Sequence, residues 1–336
     1  MPFLVDELGI DLGTVNVLIY VRGRGIVLQE PSVIAQSIST WEVLAVGAEA
    51  EAMIGRAPQS FRVRRPLRDG VIADYRITRE MLRRFINRAI GRLRLLRPRV
   101  CLTVPFGVTQ VERRAVRLAA LEAGAGAAYL IPEPLAGALG AGMPVHIPGG
   151  HMVVDLGGGT SQAAVLSLYG VVTSTAIRVG GIRMDEAIIT YIRRKYNLII
   201  GQPSAEEAKI RIGSALPGRE TLRMEVQGRD QVTGLPRSVE ISSDDIAEAL
   251  EESLSIVVGM VKSVLERTPP ELAADIIDRG MTMIGGTSLL RHLDDLLTQE
   301  TGVPVFVAEA PMACVAIGAG KAHSILPILQ DTLQEL

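Results

Sequence analysis

The 336-residue chain predicts an α/β fold made by duplication. Three observations carry this. A short phosphate-loop pattern occurs twice, 144 residues apart, as Asp11-Leu-Gly-Thr14 and Asp155-Leu-Gly-Gly-Gly-Thr160. Each copy follows an apolar run, Leu8–Ile10 or Met152–Val154, and leads into a second run, a glycine turn and a third run. Each strand triplet is then followed by alternating helix and strand patterns, as in a repeated α/β unit.

Taken in order, residues 8–35 read as three antiparallel strands and Trp41–Val46 as another. Glu49–Ile54 begins a short helix, and Arg62–Tyr75 is polar and reads as loop. Thr78 can cap a helix running to about Leu93, with Glu80 in the first turn where the helix dipole favours an acid. Arg99–Val104 is a strand ended by Pro105, and Gln110–Ala123 a helix closed by Gly124. A strand at Ala128–Ile131 leads to Glu133-Pro134, where proline suits a first helical turn. Pro144–Gly150 is a loop between the halves.

The second half restarts with strands from His151 to Ile177. Helices are expected at Met184–Tyr196 and Glu206–Gly213, then a hairpin from Leu222–Gln227 and Ser238–Ile241. Ser243 caps a long helix, Asp244–Glu266, stopped by Pro269-Pro270. Gly280–Ile284 is a strand, Ser288–Glu300 a helix, Val303–Val307 a last strand and Ala313–Ser324 a closing helix.

With 48% hydrophobic residues the chain can bury sizeable cores, and a net charge of −2 excludes a general polyanion binder. The charge is uneven: residues 62–117 hold 16 Arg and four acids, an excess of +12, leaving −14 for the rest. Either a basic face meets an anionic partner, or helix faces pair with acids elsewhere. Cys101 and Cys314 sit in apolar contexts and read as core thiols in a reducing compartment. No secretory signal is visible, and the uncharged stretch Pro134–Val154 is broken by prolines and glycines, so a cytoplasmic protein is expected.

The twin loops suggest a clamp. Glycine lets backbone approach phosphate oxygens and aim N–H groups at them. Asp11 and Asp155 would meet across the cleft and hold a hydrated Mg²⁺.

The run Gly9-Ile-Asp-Leu-Gly-Thr14, the second loop and Ile284-Gly-Gly-Thr287 resemble the phosphate and adenosine loops of the actin-like ATPases. Within that superfamily the whole chain resembles MreB-type bacterial actin. The stretches that carry this are Gly25-Ile-Val-Leu-Gln-Glu-Pro-Ser-Val33, Arg65-Pro-Leu-Arg-Asp-Gly-Val-Ile-Ala-Asp74 and Arg178-Val-Gly-Gly181. Lys195-Tyr-Asn-Leu198, Glu206-Glu-Ala-Lys209 and Ile212-Gly-Ser-Ala215 add to them. The resemblance implies a ribonuclease H-like ATPase fold with two lobes of two subdomains each around a nucleotide cleft. Residues 1–149 would form the first lobe, with 31–69 as its inserted small subdomain and 311–336 completing it. Residues 150–310 would form the second, with 183–243 inserted.

The resemblance also implies site residues and partners. Gly13, Thr14 and Asn16 would cradle the phosphates of ATP or ADP with Gly157, Gly158, Gly159 and Thr160. Glu133 would position the attacking water, with Thr160 relaying a hydrogen bond. Glu206, Glu207 and Lys209 would bind adenosine, and Gly285, Gly286 and Thr287 close its pocket. Three departures stand out. Ser161-Gln162 replaces the family's usual Thr-Asp, and glutamine can orient a water but not take its proton, so slow hydrolysis is expected. Pro132 replaces a common acid, and Gly-Gly-Thr replaces Gly-Gly-Gly. Leu93, Leu95 and Leu96, set among arginines, match a membrane-insertion loop, or else end a helix and pack inside. Burying each leucine is worth roughly 1.5–3 kcal/mol, enough for reversible binding of one protomer and avid binding of a filament. The implied partners are further copies in paired protofilaments, anionic inner-membrane lipid and cell-wall elongation proteins, with no nucleic acid. A small-molecule kinase and a nucleotide-gated scaffold of the same superfamily remain as alternatives.

Overall fold

The computed structural model describes residues 5–68, 70–91 and 96–329. The first phosphate-loop copy opens an antiparallel meander of β1 (Glu7–Leu12), β2 (Asn16–Val21) and β3 (Gly25–Pro31). A small sheet follows, made of β4 (Ile34–Ser37), β5 (Val43–Val46) and, after the short helix α1 (Ala48–Glu51), β6 (Phe61–Arg64). The stretch expected to be loop thus contributes β6 and a tight hairpin, β7 (Leu67–Arg68) with β8 (Val71–Ile72). Two-residue strands are too short to show an alternating pattern.

Helix α2 (Tyr75–Ile90) starts earlier than expected. Its cap is Asp74, which accepts from the Ile77 N–H at 3.3 Å, and not Thr78, whose hydroxyl instead donates to the Asp74 carbonyl at 2.7 Å. Strand β9 (Arg99–Val104), helix α3 (Gln110–Glu122), β10 (Ala127–Pro132) and α4 (Glu133–Gly140) complete this half. Thr109 and Glu112 form a capping box at the start of α3. Parallel pairing of β9 with β1 and β10 makes the order β10-β9-β1-β2-β3.

The second half repeats the plan with β11 (His151–Leu156), β12 (Ser161–Ser167) and β13 (Gly170–Ile177). Helix α5 (Gly181–Tyr196), β14 (Leu198–Ile199), α6 (Gln202–Ile212), β15 (Arg223–Asp230) and β16 (Pro236–Ser242) form a helix pair beside a small antiparallel sheet. Then come α7 (Ser243–Glu266), α8 (Pro270–Arg279), β17 (Met281–Ile284), α9 (Leu293–Thr301), β18 (Val305–Val307) and α10 (Cys314–Ala322). The order β13-β12-β11-β17-β18 matches the first sheet strand for strand.

Three expectations are corrected here. Ser242, not Ser243, caps α7, in a capping box with Asp245. Pro269-Pro270 ends one helix but also begins α8, because proline is preorganised for a first turn. The helix expected over 288–300 is split into a 3₁₀ turn, Gly286–Leu289, and α9, with His292 left-handed at φ 59° between them.

Strand β11 is buried along its whole length, as befits a central strand covered on both faces. Between the sheets, α4 and α10 meet at backbone contact. A Cβ at Gly140 would lie 1.8 Å from the Cys314 carbonyl oxygen, and one at Gly318 would lie 1.7 Å from that of Ala136. Only glycine fits at either place. Both cysteines are buried and free. No helix among the described residues is long and apolar enough to cross a membrane. Part of the arginine excess is met by acids outside residues 62–117: Arg79, Arg88 and Arg99 pair with Glu122, Glu30 and Glu7 at 2.9, 3.1 and 3.3 Å.

Candidate functional site

The two sheets turn the strand ends that carry Asp11 and Asp155 toward one cavity of about 390 Å³. Its floor is the pair of phosphate loops, and the loops touch. A Cβ at Gly158 would fall 2.0 Å from Val15 Cγ2, and one at Gly159 would fall 2.7 Å from Thr14 Oγ1. The sequence pattern therefore requires glycine here for close approach of two hairpin corners. Thr14 Oγ1 accepts from the Gly70 N–H at 2.9 Å, which ties the first loop to the β7–β8 turn. The second loop is tied to α5 and the 3₁₀ turn. The Gly157 carbonyl accepts from the Gly181 N–H at 3.1 Å and from Thr287 Oγ1 at 2.9 Å, and that of Gly158 accepts from the Ile182 N–H at 2.8 Å.

Of the five carboxylates that line the cavity, three act on one another: Asp11, Asp155 and Glu133. Burial pushes Asp155 up to about 7. Burial and then the Asp155 charge push Asp11 up to about 7, against a hydrogen bond donated by Thr103 at 3.4 Å. Burial, Asp155 and Asp11 together hold Glu133 well above the usual carboxylate range. Like charges gathered in a poorly solvated place favour their neutral forms. A divalent cation would reverse that preference, and oxygen donors of this kind suit Mg²⁺. Among the described residues no three acidic, histidine or cysteine side chains converge to ligate a metal directly. The donor set thus fits an ion held through water.

Glu133 opens α4, and Gln162 clamps it. Gln162 is 2% exposed and is absent from the cavity lining. Its amide nitrogen donates to Glu133 Oε2, while its oxygen accepts from the Phe106 N–H at 3.1 Å. It therefore aims the carboxylate, and does not reach into the cavity to hold a water itself. Thr160 does line the cavity, as do Gly13, Asn16 and Gly157.

On the far side Glu206 and Lys209 of α6 face Gly285, Gly286 and Thr287 across the same space. The Lys209 ammonium is bound into the wall, 2.6 Å from Asp185 Oδ1 and 3.1 Å from the Gly181 carbonyl. Burial pushes the Asp185 carboxyl up to about 6 despite that partner. Glu207 is elsewhere: it pairs with Arg211 on the exposed face of α6 at 3.0 Å and is not among the lining residues. Successive helical positions point about 100° apart, and here that turn carries Glu207 away from the cavity that Glu206 lines. Arg65, Asp185 and Gln202 line the cavity and had no role in the sequence reading. Arg65 and Gly181 lie in stretches that carried the family resemblance, which was the only signal for them. Leu93 and Leu95 fall outside the described residues, and Leu96 is 50% exposed.

The sequence profile of the MreB/Mbl protein family matches residues 5–330. The chain belongs to the MreB/Mbl family. It is 52% identical to the cell shape-determining protein MreB of Escherichia coli K12, over 96% of this chain and 94% of that protein. It is 50% identical to the cell shape-determining protein Mbl of Bacillus cereus, over 94% of each. Among solved structures, MreB5 of Spiroplasma citri bound to ADP superposes with a TM-score of 0.91 at 37% identity, covering 96% of this chain and 97% of that one. The fold is therefore the actin-like fold of MreB/Mbl proteins, with paired sheets, paired loops and a cavity between them.

Proposed function

We propose that this chain is an ATP-binding bacterial actin that forms filaments beneath the inner membrane and helps set rod shape by organising cell-wall synthesis. Slow ATP hydrolysis would drive polymer turnover. The observation that carries this reading is the contact between two phosphate loops from opposite sheets, set above the carboxylates of Asp11, Asp155 and Glu133. Relatives named for cell shape and a neighbour bound to ADP support it. The lobes that close on the nucleotide would be residues 1–149 with 311–336, and residues 150–310.

Each residue's work follows from its place. Backbone N–H groups of both loops would bind the phosphate oxygens, and Thr14 and Thr160 would add hydroxyl donors. Asp11 and Asp155 would hold Mg²⁺ through water, and the ion would neutralise charge on the phosphates. Glu133 would accept a hydrogen bond from a water and hold it in line with the γ-phosphorus. Water then attacks, the bond to the bridging oxygen breaks, and ADP leaves. Such reactions depend on positioning far more than on a strong base. Burial, with the Asp155 and Asp11 charges, raises the Glu133 carboxyl above its ordinary range, a direction that agrees with slow turnover. That same observation favours a second reading, a scaffold that binds ATP and barely cleaves it.

Pelleting with anionic liposomes in ATP, ADP and no nucleotide, with phosphate release followed in parallel, tests both. The expected result is nucleotide-dependent polymer on lipid, lost when Leu95 and Leu96 are replaced by Ser, with phosphate release slowed in Glu133→Gln. Equal release from Glu133→Gln and wild type would remove Glu133 from the chemistry. Polymer that cycles with no phosphate release would establish the scaffold.

A further inference from the structure

The charges around the cavity are unequal. Asp11, Glu133, Asp155, Asp185 and Glu206 line it as acids, against the cations Lys209 and Arg65. A nucleotide brings several more negative charges and one divalent ion offsets only part of them. Lys209 is already committed to Asp185. Arg65 is differently placed. Among the described residues it forms no ion pair, and its named hydrogen bond runs from Nη1 to the Val15 carbonyl at 3.1 Å. A guanidinium carries five N–H donors in a planar fork that matches phosphate oxygens.

The Val15 contact places that fork. Val15 joins Thr14 to Asn16 in the first loop, and its side chain lies against Gly158 of the second. Arg65 is therefore held beside both phosphate loops by a bond to one of them. Burial lowers its pKa while Glu51, Glu206 and Asp185 favour the charged form. Arginine stays protonated at neutral pH under such opposition.

We infer that Arg65 is a nucleotide-binding residue that donates to the phosphate chain of ATP or ADP, giving the cavity a cation that no acid among the described residues holds in an ion pair. This rests on the nucleotide reading above. It also predicts a link between ligand and fold: Arg65 lies between β6 of the small sheet and β7, so phosphate contact would draw that sheet toward the cleft.

The test is titration calorimetry of the full chain with Mg-ATP, Mg-ADP and adenosine. The variants are Arg65→Gln, which removes the charge and keeps a polar side chain, and Arg65→Lys, which keeps the charge. Ligand-free melting curves check that both fold. Arg65→Gln should lose roughly 10- to 100-fold in affinity for both phosphorylated ligands and stay within about twofold for adenosine. Arg65→Lys should recover part of the loss. ADP binding unchanged in Arg65→Gln overturns the inference, and so does an equal loss for adenosine and ADP, which would mark a structural role. If wild type binds none of the three, the nucleotide reading itself fails.

Discussion

Replacing Asp155 by Asn should make the nucleotide-free protein more stable at pH 8 while abolishing its response to Mg-ADP. The magnitude follows from the buried carboxylates. Asp155 rises from 3.8 to about 7 on folding, through burial. Each unit is worth about 1.4 kcal/mol, so ionising this group inside the folded chain costs about 4 kcal/mol at pH 8. A raised carboxyl pKa contributes stability in full below about pH 4, and that contribution is lost as pH climbs through 7. Wild type without nucleotide should therefore weaken between pH 5 and pH 8. Asparagine has no charge to bury, and its removal of the Asp155 charge also relieves Asp11 and Glu133. The gain at pH 8 should be about 2–4 kcal/mol, shrinking to roughly a third to a half of that near pH 5 and to zero only below about pH 4, where the group is protonated in both the folded and the unfolded chain. Nucleotide works the other way: a ligand at 100 times its dissociation constant stabilises by about 2.7 kcal/mol, and the variant should lose that gain. Denaturant melts at pH 5 and pH 8, in EDTA and in Mg-ADP, would show the variant's lead narrowing both with acid and with ligand. A variant less stable than wild type at pH 8 in EDTA would refute the charge argument.

Two further outcomes are expected. Gln162→Ala frees Glu133 from its clamp, so phosphate release should fall roughly tenfold with ATP affinity within about twofold; a matching loss of affinity, read by titration, would mean that Gln162 shapes the cavity. Gly158→Ala should weaken nucleotide binding and cost about 1–3 kcal/mol, because its methyl would overlap Val15, and Val15→Gly in the same chain, which removes both Cγ2 and Cβ from the overlap, should restore part of both. Failure of that rescue in melting and binding assays would place the clash elsewhere.

Much of the architecture was legible because it is repeated. The twin loops and the apolar runs beside them marked β1, β2, β11 and β12, and central strands covered on both faces cannot hide their hydrophobic pattern. What escaped was short or punctuated. Strands β7 and β8 have two residues each, and α8 begins at a proline that also reads as a stop. The loop glycines and the three acids were visible in the motifs. The clamp between Gln162 and Glu133, the pairing of Lys209 with Asp185 and the bond from Arg65 to Val15 join residues far apart in sequence, and no local spacing encodes them. Glu207 shows the opposite failure, since a family motif drew in a neighbour that helix geometry turns to solvent.

The glycine seam between α4 and α10 bears on how the protein is born. Ribosomes deliver Asp11 and Glu133 well before α10. Gly9 of β1 also abuts the backbone of Gly320, so the first strand and the helix bearing Glu133 both wait for the same late arrival. Nascent chains still tethered in the exit tunnel would carry an unfinished cleft. The cleft and the helix that completes it are in this sense one late-closing unit.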